Sequence, residues 1–167
     1  MPTALFITRE DLVRYTNLNG NVDTDKFLGY IKIAQEIHIQ NYLGTKLYER
    51  IETDVLAGAL AGNYLSLVQN YVQPMLIHFA MVEYLPFAAY QMSNSGIYRT
   101  TNEKGNALDK EEVDFLISKE NNLAQYYVGR FLDYMSFNAA TLFPEYYTNT
   151  NDDVWPDKSN RFIGWVL

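Results

Sequence analysis

Two histidines and one isolated carboxylate are the residues of this 167-residue chain best suited to chemistry. An imidazole can serve as a general base or bind a metal ion, and a carboxylate in an apolar helix can act as a buried acid. His38 and His78 both fall at helical spacing with apolar residues, and Glu83 is the only acidic or basic residue between Val55 and Tyr98. These residues leave open a small helical enzyme or ligand-binding domain with a pocket around Glu83 and His78.

The spacing of the three side chains favours a structural role. His38 is followed at i+4 by Tyr42 and not by a second metal ligand, and Glu83 lies five residues after His78, a poor match for one helix face. We therefore expect both histidines to be buried and hydrogen-bonded to a neighbour. We expect Glu83 to pair with an arginine such as Arg130, or to lie at a subunit boundary.

The other candidate motifs for chemistry are weak or absent. Most carboxylates stand at predicted helix starts, where capping and the helix dipole explain them. Asp152, Asp153 and Asp157 lack the glycine and terminal glutamate of a calcium-binding loop. The chain has no cysteine and no phosphate-binding loop, nucleophile elbow or metalloprotease motif. The sequence therefore predicts no catalytic residue, no metal site and no cofactor, and a protein that is not an enzyme.

The first fifty residues predict two helices in succession. Thr8 is placed to cap a short helix with acidic residues in its first turn. After a polar turn, Asp23 or Thr24 starts a long amphipathic helix that ends at Gly44. The predicted core face of the long helix consists of Phe27, Ile31, Ala34, His38 and Tyr42, with Tyr30 and Ile37 beside it.

This order of residues, over positions 5 to 51, resembles the head–tail connector (adaptor) proteins of tailed bacteriophages. The residues that carry the resemblance are Ile7-Thr8-x-x-Asp11-Leu12, a polar turn, Phe27-Leu28-x-x-Ile31 and Tyr42-Leu43-Gly44. The resemblance implies a non-enzymatic virion protein that forms a ring between the portal protein and the next tail or ring protein. The ring is expected to be a dodecamer, matching the portal, and genomic DNA is expected to pass through it without specific binding. The implied location is the neck of the virion, after synthesis in the host cytoplasm.

The rest of the chain predicts further helices and two irregular segments. We predict an all-α fold: a compact bundle of about four to five helices, with a long polar loop and an extended C-terminal arm. The helical connector domain spans residues 1–142 and includes the polar loop at 93–108, and the arm spans 143–167. Asp109 and Glu112 form a capping-box signal for the last long helix, which we expect to reach about Phe137.

The middle of the chain is poor in charge and should be central in the fold. Thr45 is expected to cap a helix that ends at Ile51 or Leu56, and the following interval is apolar nearly all round. Pro74 and Pro86 should start, kink or end helical pieces. Polar residues and prolines interrupt every stretch long enough to span a bilayer, so we predict no membrane partner.

Two segments are candidates for subunit contacts. The polar loop is either simply solvated or touches a neighbouring subunit or the ring channel through Ile97, Tyr98 and Arg99. The aromatic arm either folds back on its own body or docks on the portal or an adjacent subunit. Its contact residues are expected to be Trp155, Phe162 and Trp165.

Composition favours protein contacts over nucleic-acid binding. The chain has 14 tyrosines, a residue type enriched at interfaces, which favours extensive subunit contacts. It carries 20 acidic against 13 basic residues, a formal net charge of −7. A chain with this charge is a poor candidate for binding DNA through the DNA phosphates.

Overall fold

The protein is a mainly helical bundle, as predicted, with one short β-hairpin. A computed structural model describes residues 4–18, 24–88, 90–93, 96–99 and 109–159. The α-helices are α1 Arg9–Tyr15, α2 Thr24–Ala34, α3 Gln40–Leu43, α4 Thr45–Leu56, α5 Gly62–Leu67, α6 Gln73–Tyr84 and α7 Lys110–Leu142, and the strands are β1 Tyr90–Ser93 and β2 Gly96–Arg99. Five-residue π-helical turns join α2 to α3 and α5 to α6, and 3₁₀ turns occupy Leu85–Phe87 and Pro144–Tyr147.

Helix α6 is the centre of the bundle, as its apolar sequence predicts. It packs against α7 on one side and α2 on the other, and it also contacts α1. Its buried side chains point in all directions around its axis: Met75, Leu76, Ile77, Phe79, Ala80 and Met81. A helix with no polar face can be stable in water only when neighbours cover it all round, which is the position of α6.

Two helices begin with capping boxes: the sequence predicts the one at Asp109 as such, whereas at Thr8 it predicts only the cap residue. The Thr8 hydroxyl accepts a hydrogen bond from the Asp11 N–H at 3.3 Å, and the Asp11 carboxylate accepts from the Thr8 N–H at 2.8 Å. At the start of α7 the Asp109 carboxylate and the Glu112 N–H are 2.9 Å apart, and the reciprocal bond is 3.0 Å. Each box satisfies amides that a helix start leaves unpaired. Helix α7 then continues to Leu142, beyond the predicted end at Phe137.

A π-helical turn, Val68–Val72, precedes Pro74 and explains how the chain accommodates it. Proline has no N–H, and its ring clashes with the carbonyl four residues earlier in a continuous α-helix. In the π turn the Gln73 N–H donates to the Val68 carbonyl, five residues back. The helical turn immediately before Pro74 is therefore wider than an α-helical turn. Pro74 thus lies in the first turn of α6, as predicted for a helix start.

The other π turn, Gln35–Ile39, rotates the core face of the long helix. Phe27, Ile31, Ala34 and Tyr42 are buried as predicted. One extra residue in the turn brings Ile39 into the core and leaves Ile37 half exposed and His38 only partly buried. Spacing alone assumes a constant 3.6 residues per turn, so the apolar pattern places His38 on the core face and does not identify Ile39 as a core residue.

Two glutamines next to the π turns hold the N-terminal segment on the bundle. The fully buried Gln35 accepts from the Phe6 N–H at 2.9 Å and donates to the Ala4 carbonyl at 2.7 Å and the Tyr48 hydroxyl at 2.9 Å. Gln73 donates to the Phe6 carbonyl at 2.8 Å. Both polar groups of Phe6 are therefore satisfied by side chains, which allows this segment to be buried without a strand partner.

The prediction that Thr45 caps α4 is wrong, because the cap is supplied by the far end of the chain. Gly44 is the N-cap residue, and Thr45 is the first residue of the helix. The Thr45 N–H donates to the Val154 carbonyl at 3.0 Å, and the Lys46 N–H donates to the Asn149 side-chain oxygen at 3.0 Å. A long-range partner thus replaces the local side chain that usually satisfies these amides.

Candidate functional site

His38 and Glu83 form a close pair between the first π turn and α6. His38 Nε2 lies 2.7 Å from Glu83 Oε1, and about a quarter of each side chain is exposed. The imidazole also stacks on the Phe79 ring, with centroids 4.1 Å apart and planes within 4° of parallel. The prediction that Glu83 pairs with Arg130 is therefore wrong: its partner comes from a helix far earlier in the sequence.

His78 has the same type of environment on the opposite side of α6. Its Nδ1 lies 2.7 Å from Glu120 Oε2 on α7, and its ring is parallel to that of Tyr127 with centroids 5.5 Å apart. Both histidines are thus hydrogen-bonded to a neighbour, as the sequence predicts, although neither is fully buried.

The two pairs are separate, and each is occupied by its own partner. His78 lines a cleft of about 530 Å³ with Asn70 and Arg130, whereas His38 lines a second cleft of about 220 Å³ with Asn121. Glu83 bonds His38 and not His78, so the structure does not bring the two residues of the candidate pocket together. A carboxylate and a stacked ring fix the orientation of each imidazole, and this holds neighbouring helices in register.

The described residues of both clefts offer little for nucleophilic or metal chemistry. Their linings contain no serine, threonine or cysteine in the part of the chain that the structure describes. Within residues 4–18, 24–88, 90–93, 96–99 and 109–159, no group of three or more histidines or carboxylates is arranged to hold a metal ion.

The predicted polar loop begins with a strand of the β-hairpin. Strands β1 and β2 pair antiparallel, with Tyr90 opposite Arg99 and Ser93 opposite Gly96. Ile97 is 70% exposed, so it is accessible to another molecule. Tyr98 and Arg99 lie on the same strand, and residues 100–108 lie outside the described part of the chain.

The first half of the C-terminal arm packs on its own subunit. Val154 bonds Thr45 through both its N–H and its carbonyl, and the Asp157 N–H donates to the Asn41 carbonyl at 2.7 Å. Trp155 is 55% exposed, with its indole N–H donating to the Thr150 carbonyl at 3.1 Å. Phe162 and Trp165 lie outside the described residues.

Gly44 shows how closely this arm approaches the helices. Its φ of 75° and ψ of 162° belong to a region that almost only glycine occupies. A Cβ atom there would lie 2.9 Å from the Asn149 side-chain nitrogen and 2.9 Å from two ring carbons of Pro156. Glycine at this position therefore ends the helix, as its sequence position predicts. Its lack of a side chain also leaves room for the arm to pack there.

A polar cluster that sequence patterns did not indicate joins α4, α5 and the segment after α7. The Tyr64 hydroxyl donates to Glu145 Oε2 at 2.8 Å, and the Arg50 guanidinium lies over the Tyr64 ring at 4.9 Å. Burial, together with the neighbouring Glu145 carboxylate, raises the pKa of Tyr64 to about 12. No local signal identifies this cluster, because Tyr64 and Glu145 are 81 residues apart.

Comparison with known proteins places the chain in a family without assigning a role. Residues 39–154, more than half of the chain, match the model of a family of unknown function, DUF6712. No curated protein and no solved structure matches the chain. In the described part of the chain, no helix is long and apolar enough to cross a membrane.

Proposed function

This chain belongs to the DUF6712 family of unknown function, and we propose that it is a non-enzymatic virion protein that forms a ring between the portal and the tail of a bacteriophage. The ring is a dodecamer that sits on the portal protein and receives the next tail or ring protein on its other face. It joins head to tail and lines the channel through which genomic DNA leaves. The protein is made in the host cytoplasm and resides at the virion neck.

The observation that carries this proposal is the element order in the region of the resemblance. A short capped helix, α1, is followed by the long helical run of α2 and α3, which stops at Gly44 before α4. This order is the one expected of a connector subunit over residues 5–51. An all-α body of this kind offers long rigid surfaces for assembly, and its described residues form no cluster suited to holding a metal ion.

The exposed side chains of the two candidate contact segments also support the proposal. Ile97 on the hairpin and Trp155 on the arm are both more than half exposed, although each carries a large apolar surface. Both side chains are therefore accessible to another molecule. In a ring they would be covered by the adjacent subunit or by the portal.

Charge is compatible with a passive channel. Twelve chains with a net charge of −7 each would surround the DNA with a strongly acidic ring. A polyanion passes such a surface without the tight, salt-dependent binding that lysine and arginine contacts produce. The channel-facing surface is therefore expected to be negative or neutral, with Arg99 and Lys104 as the basic residues to mutate first if DNA binding is found.

The test is negative-stain imaging and native mass measurement of the protein mixed with the portal protein from the same genome. We expect twelve copies in a ring on the portal. The variant Ile97→Ser should weaken ring formation without lowering the melting temperature, whereas Leu56→Ser, an exposed apolar residue on α4, should not. A virion reconstruction with one copy, or none, at the neck would overturn the proposal.

DNA binding gives an independent check. The purified protein should show no duplex binding in a gel-shift titration at physiological salt. Micromolar binding with a steep salt dependence would contradict the passive channel.

A further inference from the structure

The outer face of α7 carries a continuous exposed stripe. Nine positions, separated by three or four residues, fall on one side of this 33-residue helix. We call them the α7 stripe: Glu112, Phe115, Lys119, Asn122, Tyr126, Arg130, Asp133, Phe137 and Ala140.

The aromatic residues of the stripe are unusually accessible. Phe137 is 86% exposed, Phe115 is 58% exposed and Tyr126 is 50% exposed. Leu123 lies beside them and is also exposed. The three rings are spaced eleven residues apart along one helix face, and each offers a large surface on which a partner can pack.

The size of the face suits a specific contact. A helix of 33 residues is about 50 Å long, at 1.5 Å per residue. The stripe itself runs from Glu112 to Ala140, about 42 Å, and at the width of one helix it covers on the order of 500 Å², compared with about 800 Å² per partner in a standard interface. The stripe is therefore large enough to form the centre of a dimer interface.

The order of residues along the stripe identifies the partner, because it is symmetric about Tyr126. Phe115 and Phe137 lie eleven residues on either side, about three helical turns, and Lys119 and Asp133 lie seven on either side, about two turns. If a second α7 runs antiparallel with Tyr126 opposite Tyr126, Phe115 faces Phe137 of the second copy. Lys119 then faces Asp133 of the second copy, and the reverse contacts repeat.

The parallel arrangement is disfavoured by charge. It would place Lys119 opposite Lys119 and Asp133 opposite Asp133, and like charges across an interface oppose association. The antiparallel arrangement converts the same residues into two opposite-charge pairs that flank a tyrosine and two phenylalanine contacts. Self-complementarity of this kind is the requirement for a two-fold interface.

We propose that two copies of this chain pair in solution through the α7 stripe, antiparallel and related by a two-fold axis. A two-fold contact closes on itself and cannot by itself generate a ring. The dimer is therefore a form of the free protein, distinct from the ring contacts, and it does not require the connector role.

The register of this dimer can be tested by changing the charges at Lys119 and Asp133. The dissociation constant of the full chain is measured by sedimentation equilibrium. The wild type should dimerise, and Asp133→Lys should raise the dissociation constant by on the order of a hundredfold, because it places two lysines opposite each other on each side of the axis. The double variant Lys119→Asp/Asp133→Lys should restore the dimer. Asp114→Lys, the same charge change on α7 outside the stripe, is the matched control and should leave dimerisation unchanged.

Disulfide trapping tests the same register independently, because the chain has no cysteine of its own. An equimolar mixture of Phe115→Cys and Phe137→Cys should form a mixed disulfide dimer on mild oxidation, whereas neither variant alone should. Tyr126→Cys alone should crosslink to itself.

Three results would overturn the dimer. These are a wild-type chain that stays monomeric throughout the concentration series, a double charge exchange that fails to restore association although circular dichroism shows a folded chain, and Phe115→Cys crosslinking to itself as well as to Phe137→Cys.

Discussion

His38 and Glu83 lie 45 positions apart in the chain and only 2.7 Å apart in the fold, Nε2 to Oε1. The pair joins the π turn between α2 and α3 to the last turns of the central helix α6. His38 also covers the Phe79 ring, so one side chain contributes a polar and an apolar contact to the same helix. The isolated carboxylate of the apolar middle region thus has a structural role.

We predict that Glu83→Ala lowers the free energy of unfolding by about 1–3 kcal/mol, because it leaves a partly buried imidazole without its carboxylate partner. Glu83→Gln should cost less, since an amide oxygen can still accept a hydrogen bond from the imidazole. Urea denaturation measures both, with Glu49→Gln as the exposed control. Equal stability of Glu83→Ala and wild type would show that the pair contributes nothing.

Gly44 should not tolerate a side chain. Gly44→Ala is expected to destabilise the protein by about 1–3 kcal/mol from backbone strain, and further through the contacts at 2.9 Å with Asn149 and Pro156. Gly58→Ala is the matched control, because Gly58 also has a positive φ but nothing lies within 4 Å of the added atom. Thermal unfolding that ranks Gly58→Ala as the more harmful change would contradict this account of the arm.

Truncation should separate the two halves of the C-terminal arm. Removing residues 150–167 deletes the Val154 carbonyl that caps α4, and we expect a clear fall in melting temperature. Removing residues 160–167 keeps the Val154 and Asp157 contacts, so the cap of α4 should be retained. A chain cut after residue 149 that melts like the wild type would show that the α4 cap is dispensable.

Alkaline pH should weaken the fold through Tyr64. Its pKa rises from the ordinary 10.0 to about 12 in the folded chain, so the folded state keeps a proton that the unfolded state loses. The resulting stabilisation is complete below pH 10 and is lost as the pH rises from 10 to about 12. Tyr64→Phe should flatten the decline of unfolding free energy in that window, and the exposed Tyr15→Phe should not.

Local sequence signals located much of the helical framework. Thr8 with Asp11, and Asp109 with Glu112, are short-range motifs whose partners lie three residues apart, so sequence alone specifies them. The lack of charge in the middle of the chain likewise identified α6 as the central helix, because an apolar helix has to be covered.

The errors concern partners that are distant in the chain. Glu83 bonds His38, not Arg130, and the α4 cap comes from Asn149 and Val154, not Thr45. Periodicity specifies which face of a regular α-helix is buried, but it misses the shift that a π turn introduces and carries no information on which residue from another element meets that face. The β-hairpin was also not predicted as a paired unit, since four-residue strands provide too little alternation to recognise.

The two π turns change which side of each long helical run faces the core beyond them. Each turn is equivalent to one inserted residue, which rotates everything beyond it by on the order of 100° around the helix axis. In the first run, this allows Phe27 and Ile31 before the turn and Ile39 and Leu43 after it all to be buried. Deleting a single residue from either turn would therefore not shorten a loop. It would rotate the helical residues beyond the deletion away from the core on which they pack.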